Sequence, residues 1–397
     1  MPPDQLDGVE HHWPTRCENG QCRALLPTGG RRKDAAPPRR HQVTEIPEVK
    51  PKTIEHQQHS LCCADCGVVT TATLPADVPR GAFGPMLMAM VAILTGCYRM
   101  SKRNVVGAMK DLFHLEMSLG SVTPCEQAIS ASLEAPVAEA HEFVQNQKVM
   151  HADETGWREG RRRAWMWVAA TALVTVFQIC RQRGKRAAQA LLGRFQGVLV
   201  TDRWDAYLWY KGLRQICWAH LKRDFRAMSE RPGAAGRIGC ALSGNTKLMF
   251  KWWHRVRDGT MTRRQFQKRM RPVRLEFERL LKLGQRGRTG IAGSCDEMLG
   301  LFGSFFTFVD VEGVEPTNNH AERQIRAAVI WRKTSFGTHS AAGSRFVERI
   351  MTVRSTLRQQ NRSVVAYVVH AHQAALRGEP AASLLPVAAA MPIFAAA

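Results

Sequence analysis

Residues 149–216 constrain the fold more strongly than any other part of this 397-residue chain. Three runs rich in Val, Thr and Trp come first, VMHADETGW, RAWMWVAATA and LVTVFQIC, and they predict three strands. GKRAAQALLGRF then has helical periodicity, GVLVTDRWDAY predicts a buried fourth strand, and RQICWAHL predicts a fifth. Strands interleaved with helices in this order indicate an α/β fold, with a mixed sheet flanked by helices.

Acidic residues follow two of these predicted strands, since Asp153 ends the first and Asp202 ends the fourth. The order of elements is that of an RNase H-like fold, in which these two strands are neighbours. Both carboxylates would then emerge side by side at one edge of the sheet. A third acid, Glu322, lies near the start of the helical segment TNNHAERQIRAAVIWRK, whose first turn Thr317 or Asn318 can cap.

Three converging carboxylates repel one another unless a cation lies between them. Mg²⁺ prefers oxygen ligands, and two such ions about 3.5–4 Å apart can activate a water or a 3′-hydroxyl for phosphoryl transfer. Arg326 and Lys333 share a helical stripe with Glu322 and are expected to hold phosphates. The alternatives are that each Asp is a cap or turn residue, and that Glu322 is only a surface partner of Arg326.

A large positive charge accompanies these acids. The sequence has 56 Lys and Arg against 34 Asp and Glu, a net charge of +22, which indicates a polyanionic partner, most often nucleic acid. Residues 221–290 hold 19 of the bases and 5 of the acids, with aromatic residues interleaved. This helical segment is predicted to bind the DNA backbone, and four of its bases are candidates: Arg263, Arg264, Lys268 and Arg269. The alternatives are a solvated helix surface, or Arg enrichment in a GC-rich genome.

Five of the eleven cysteines lie in the first 66 residues. Cys17-x4-Cys22 and Cys63-x2-Cys66 are paired as in a zinc ribbon, in which each turn supplies two thiolates to one structural Zn²⁺. Cys62 is a substitute for Cys63, and the alternative is a set of unligated cysteines. The remaining six are expected to be small core residues: Cys97, Cys125, Cys180, Cys217, Cys240 and Cys295.

Residues 81–147 have apolar residues at helical spacing, with basic residues between them. Residues 118–122 predict a turn, and Thr123 followed by Pro124 predicts the start of the next helix. Two helices flanked by bases indicate a helix-turn-helix-like unit in which Lys102 and Arg103 contact DNA. An ordinary helical hairpin is the alternative.

The sequence divides into four predicted parts. They are a zinc-binding module at residues 1–80, the helical unit at 81–147, the α/β core at 148–362 with its helical insertion at about 221–290, and a C-terminal helix with an Ala-rich tail at 363–397. The longest apolar stretch, residues 164–179, is shorter than the roughly 20 residues of a membrane-spanning helix. With no secretory signal at the N-terminus, we expect a cytoplasmic protein.

Four stretches of the sequence resemble DDE transposases of bacterial insertion sequences, specifically the insertion-sequence sixty-six family. They are HADETGW at 151–157, TDRWDAY at 201–207, CWAHLKRDF at 217–225, and the run that begins NNHAERQIRAAVIWRK at 318. The resemblance implies Asp153, Asp202 and Glu322 as a metal-binding catalytic triad. It also implies an RNase H-like core with a helical insertion before the Glu, and zinc-ribbon-like and helix-turn-helix-like modules upstream.

The function that the resemblance implies is DNA cleavage and strand transfer at the ends of an insertion sequence, with Mg²⁺ or Mn²⁺. It also implies a homo-oligomer on double-stranded DNA and accessory proteins encoded beside the gene. Two features depart from the family: the first cysteine spacing is wider, and the sequence starts almost at that pair, where relatives carry a coiled-coil segment. The alternatives are an RNase H-like nuclease without strand transfer and a decayed, non-enzymatic DNA-binding derivative.

Overall fold

A computed structural model describes residues 1–27, 34, 36–287 and 289–386. The chain divides into two compact units, Met1–Lys52 and Thr53–Ala397. The predicted Ala-rich tail beyond residue 386 lies outside the described residues. In the described part of the chain, no helix is long and apolar enough to cross a membrane.

In the described part of the second unit, α-helices separate the strands at two places, and eight α-helices follow the last strand. The strands are β1 Ser60–Cys62, β2 Val69–Thr71, β3 Val149–Glu159, β4 Arg162–Ala170, β5 Thr175–Cys180, β6 Val198–Thr201 and β7 Arg214–Ile216. The helices are α1 Pro85–Gly96, α2 Lys102–Phe113, α3 Leu119–Ser132, α4 Glu134–Gln145, α5 Lys185–Leu192, α6 Trp218–Ser229, α7 Gly233–Arg257, α8 Arg263–Arg286, α9 Ala292–Gly300, α10 Thr307–Asp310, α11 Asn319–Ser335, α12 Ala341–Gln359 and α13 Val364–Leu376. Short 3-10 turns occur at Pro3–Gln5, Asp205–Tyr207 and Phe302–Ser304.

The larger sheet has five strands in the order β5-β4-β3-β6-β7. β3, β4 and β5 pair antiparallel, whereas β6 pairs parallel with both β3 and β7. The sheet is therefore mixed, and the mixed α/β class predicted from the sequence is confirmed. The five strands form at the five predicted runs.

One predicted boundary in this sheet is wrong. Asp153 does not end its strand, because β3 continues to Glu159. The parallel register with β6 ends at His151, and the rest of β3 stays paired with β4 as one arm of a long hairpin. Asp153 therefore lies where β3 loses its neighbour on one side but keeps its neighbour on the other.

Two hydrophobic cores pack on the opposite faces of the sheet. Leu199 on β6 belongs to a core with α5, α11, α12 and α13, while Val198 and Val200 belong to a core with α6, α7 and α8. Alternate residues of a strand point to opposite faces, so one short strand serves both cores. The basic insertion is thus a packed helical layer, with Trp253, Phe266 and Phe277 buried inside it.

The β5 edge of the sheet is closed by side chains of α12. Thr356 Oγ1 and Thr352 Oγ1 accept hydrogen bonds from the backbone N–H groups of Thr175 and Phe177, both at 3.1 Å. Glu348 accepts the third bond of the series, from Ile179. Four residues of helix rise about 6.0 Å and two residues of strand about 6.8 Å, so this spacing matches alternate N–H groups of an edge strand. The edge cannot then pair with another strand.

Two further expectations are corrected in the helical regions. α3 begins at Leu119, not at Thr123, because the Ser118 hydroxyl accepts the Ser121 N–H and caps the helix. Of the six cysteines expected in the core, Cys240 is exposed. Its neighbour Gly239 faces α6 so closely that a Cβ there would lie 2.3 Å from the Ser229 nitrogen, and the next residue therefore points away.

The paired cysteines both lie at chain reversals. In the first unit, Cys17 N–H donates to Ala24 at 2.9 Å and Cys22 N–H donates to Asn19 at 3.0 Å. In the second unit, β1 and β2 form a hairpin whose turn holds Cys63 and Cys66. Backbone hydrogen bonds from Cys66 and Asp65 lower the pKa of the Cys63 thiol. Zinc binding by Cys17, Cys22, Cys63 and Cys66 stays a prediction.

Candidate active site

Asp153 and Asp202 are brought together by the pairing of β3 with β6. The parallel register aligns His151 with Val200, so two further residues bring Asp153 level with Asp202, just after β6 ends. Both side chains are half-buried. The expectation that the two acid-bearing strands are neighbours is confirmed.

Glu322 is carried to these acids by the first turn of α11, which docks on β3 through Asn318. The Asn318 side chain donates to the Ala152 carbonyl at 2.8 Å and faces His151 Nδ1 at 3.2 Å. Burial lowers the pKa of His151 to about 3, so the ring is neutral and its Nδ1–H donates to the Asn318 oxygen. The hydrogen bonds of the Asn318 side chain therefore go to β3. Its predicted capping of α11 is wrong.

The electrostatics of Asp153 indicate that the acids share one environment. Burial raises the pKa of Asp153 to about 7, and the carboxylates of Glu154, Asp202 and Glu322 raise it as well. The opposing influence is the hydrogen bond from the Glu154 N–H, at 2.9 Å. Without a cation, the cluster therefore carries unfavourable negative charge at neutral pH.

Glu154 is a fourth carboxylate that the sequence did not single out. Its side chain is 2% exposed and accepts hydrogen bonds from Tyr207 Oη at 2.9 Å and from Arg183 at 3.2 Å. Tyr207 follows Asp202 by one short turn, so this bond ties the Asp202 loop to β3. Burial and the charge of Asp202 raise the pKa of Glu154, against the influence of Tyr207 and Arg183. The sequence feature that could have identified Glu154 is its position directly after Asp153.

The three predicted acids do not form the tightest cluster of ligand atoms. Among the residues that the structure describes, the one set of three metal-ligating side chains with all ligand atoms within 4.8 Å is Cys217, His220 and Glu322. Asp153, Asp202 and Glu322 therefore do not converge on a single point as tightly as the sequence interpretation assumed. Sequence reasoning gave Cys217 no role beyond the core and gave His220 none, although the Cys-x-x-His spacing after a strand was visible.

An open cavity of about 390 Å³ lies against this site, lined by Asp202, Trp204, His220 and Arg223, among others. Trp204 is 36% exposed, and the Arg183 guanidinium lies over its ring at 4.2 Å. Acidic, basic and aromatic side chains thus lie together at one solvent-accessible cavity at the end of β6.

A family comparison fits these features. The model of the family described as Transposase IS66 family matches residues 80–345, about two thirds of the chain. The chain belongs to the IS66 transposase family. No curated protein matches it. Transposases cut and transfer DNA, so membership makes the protein a DNA-acting enzyme in general terms, and the matched region contains all of the acids described above.

The cations predicted to touch DNA in this transposase differ in their surroundings. Six are exposed or lie on exposed helix faces: Arg103, Arg264, Lys268, Arg269, Arg326 and Lys333. Arg263 instead donates to the carbonyls of Phe308 and Val309, at 2.7 and 3.1 Å. Lys102 lies 2.9 Å from Glu126 and joins α2 to α3. Arg263 and Lys102 therefore make intramolecular contacts that stabilise the fold.

Proposed function

We propose that this IS66-family protein is a DDE transposase with an RNase H-like core. It binds the ends of its element, cleaves the DNA and transfers the 3′ end to target DNA through Asp153, Asp202 and Glu322. The strand order supports the fold assignment, since the first three strands of the large sheet are an antiparallel meander and the last two add in parallel beside the first. The observation that carries the proposal is that Asp153 is adjacent to Asp202 and interacts with Glu322.

The donor set fits Mg²⁺ or Mn²⁺. Carboxylate oxygens are the ligands these ions prefer, and the raised pKa of Asp153 indicates a cluster that a cation would stabilise. Acids spread wider than one ion requires suit two ions, which Asp153, Asp202 and Glu322 would hold. Two bound metal ions would supply Lewis-acid activation of the attacking oxygen and charge stabilisation at the leaving oxygen.

The protein's own residues hold this arrangement in place. The Asn318 amide and neutral His151 fix the first turn of α11 on β3, and this sets the position of Glu322. Glu154 and Tyr207 fix the loop that carries Asp202. Arg326 and Lys333 extend outward on α11 and would meet the phosphates of the bound strand.

DNA binding outside the site is proposed for the basic insertion, the helix-turn-helix-like pair α2 and α3, and a zinc-stabilised N-terminal module. Arg264 and Lys268 are exposed on α8, where they can neutralise backbone phosphates without sequence preference. The turn geometry of Cys63 and Cys66 supports thiolate ligation of zinc. A homo-oligomer on paired ends belongs to the same proposal.

The experiment is metal-dependent cleavage and joining of a labelled duplex carrying the DNA that flanks this gene. Wild type is compared with Glu322→Gln, with and without EDTA, and Glu312→Gln on an exposed loop is the matched control. The proposal expects joined products that require metal, disappear in Glu322→Gln and persist in Glu312→Gln. Nicks without joining would favour the nuclease alternative, and DNA binding without any chemistry would favour the non-enzymatic one.

A further inference from the structure

Cys217, His220 and Glu322 form a compact set of three different donors. The Cys217 sulfur lies 3.8 Å from Glu322 Oε1, and His220 Nε2 lies 3.7 Å from the same oxygen. Ligands of a tetrahedral zinc ion, at bond lengths of about 2.0–2.3 Å, lie roughly 3.4–3.7 Å apart. The three side chains therefore stand near coordination distance of one another before any ion is added.

The backbone around Cys217 is suited to a thiolate. Cys217 follows β7 and precedes the first residue of α6, so its sulfur lies at the N-terminal end of a twelve-residue helix. The Asn318 N–H donates to this sulfur at 3.1 Å, and the backbone N–H groups of Ala219 and His220 also point to it. Burial raises the pKa of the Cys217 thiol, whereas these N–H groups favour its thiolate form, which a bound cation would stabilise further.

Cys217 immediately precedes α6 and His220 lies in its first turn, while the third ligand, Glu322, comes from α11. Cys217-x-x-His220 places both side chains on the same face, and the Trp218 N–H bonded to the Pro316 carbonyl at 2.9 Å brings the start of α11 alongside. The arrangement thus joins two helices that are about a hundred residues apart in sequence.

An ion could reach this position from solvent. The His220 side chain is 30% exposed and the Glu322 side chain 39%, and His220 also lines the open cavity beside Asp202. Cys217 is fully buried, so it would form the inner wall of the site. Of the three side chains, His220 lines the cavity, and a tetrahedral ion bound by all three would keep its fourth position for water or a phosphate oxygen.

We propose that Cys217, His220 and Glu322 form a binding site for a thiophilic divalent ion of the zinc type, with one position open to the cavity. Binding displaces the thiol proton of Cys217 to solvent and leaves the thiolate as ligand. The proposal stands on ligand geometry and does not require DNA cleavage. It gives Glu322 a second partner, so an ion held here would compete with the proposed Mg²⁺ site for that carboxylate.

The competing explanation is a purely structural contact, in which a neutral thiol accepts the Asn318 N–H and touches Glu322. That contact needs no ion, and in it the His220 nitrogen only faces Glu322 at 3.7 Å. The two explanations therefore differ in the effect of His220, which is half-exposed and can be replaced without opening the core.

The test is a Co²⁺ titration of the full chain, followed by the visible absorption of tetrahedral cobalt and the sulfur-to-cobalt charge-transfer band. The titration is run in a Cys63→Ser/Cys66→Ser background, which reduces binding by the N-terminal cysteines. We expect His220→Gln and Cys217→Ser each to bind one Co²⁺ fewer per chain than this parent. Cys240→Ser, which removes an exposed cysteine outside the site, should leave the number unchanged.

Equal Co²⁺ binding by the parent and His220→Gln, with matching circular dichroism, would overturn the proposal in favour of the structural contact. The readout is spectroscopic, so it is independent of catalysis. Absence of DNA cleavage would contradict the proposed transposase function and leave this result unaffected.

Discussion

Two consecutive helices dock on the same sheet through side-chain to backbone hydrogen bonds, with opposite results. α12 places Thr352 and Thr356 on the N–H groups of β5 and closes that edge. Asn318, at the start of α11, is hydrogen-bonded to β3. Four residues later, the Glu322 side chain is 39% exposed beside a cavity. The same kind of contact serves stability in one helix and positions a reactive group in the other.

Of the two helix contacts, removing the hydrogen bonds that hold the start of α11 on β3 should have the larger effect on activity. Asn318→Ala deletes the bonds to Ala152 and His151, so Glu322 loses its fixed position, and we expect metal-dependent cleavage to fall by about 10–100-fold. Cleavage rates are measured at equal folded fraction. Asn319→Ala, an exposed neighbour, is the control and should stay near wild type. Equal rates for both variants would contradict a positioning role for Asn318.

Removing one hydrogen bond of α12 should instead lower stability and leave cleavage unchanged. Thr356→Val leaves the Thr175 N–H unpaired in a buried setting, so the free energy of unfolding should fall by about 1–3 kcal/mol. Cleavage by the folded fraction should not change. Urea unfolding followed by circular dichroism measures the loss, with exposed Thr334→Val as the matched control. A loss of activity without a loss of stability would remove the contrast between the helices.

Glu348 adds a pH dependence to the closed edge. Burial raises the pKa of Glu348 to about 7, above its usual value of 4.5, so the folded state binds a proton more tightly than the unfolded state. Its contribution to stability is fully present below about pH 4.5 and is lost as the pH rises through about 7, by about 3 kcal/mol. Glu348→Gln should flatten this part of the stability profile, whereas exposed Glu312→Gln should not. An unchanged profile in Glu348→Gln would contradict the assignment.

The basic insertion should give the smallest and least specific change. Arg264→Gln with Lys268→Gln should weaken binding to all DNA sequences and lower the slope of log affinity against log salt by about 2. The control is Arg194→Gln with Arg377→Gln, two exposed cations outside the insertion, which should keep the slope. The measurement is fluorescence anisotropy over a range of salt concentrations.

The sequence predicted the sheet and the position of two acids because strand patterns are local. Aromatic and β-branched residues indicated β4 and β5, and the element order placed Asp153 beside Asp202. It could not predict how far β3 continues, since residues after Asp153 include Gly156 and charged side chains and are held by pairing with β4. That pairing depends on a hairpin partner, which single-strand patterns do not specify.

Contacts between residues that are far apart in the sequence could not be predicted either. Cys217 resembled any small core residue, and its neighbours Asn318 and Glu322 are about a hundred positions away. Asn318 itself carried a familiar capping signature, but the Ala152 carbonyl and His151 compete for its side chain and hold it. Burial of Glu154 likewise arises only when Tyr207 and Arg183 fold over it.

Asp153→Asn offers the most direct single test, as cleavage of the labelled element-end duplex with Mg²⁺. The replacement keeps the shape and removes a charge from a cluster in which burial has raised the pKa of Asp153 to about 7. The rate should fall by more than about 100-fold, while the metal-free variant unfolds at the same temperature as wild type or higher. Cleavage at the wild-type rate by this variant would contradict the assignment of the active site to the end of β6 and the middle of β3.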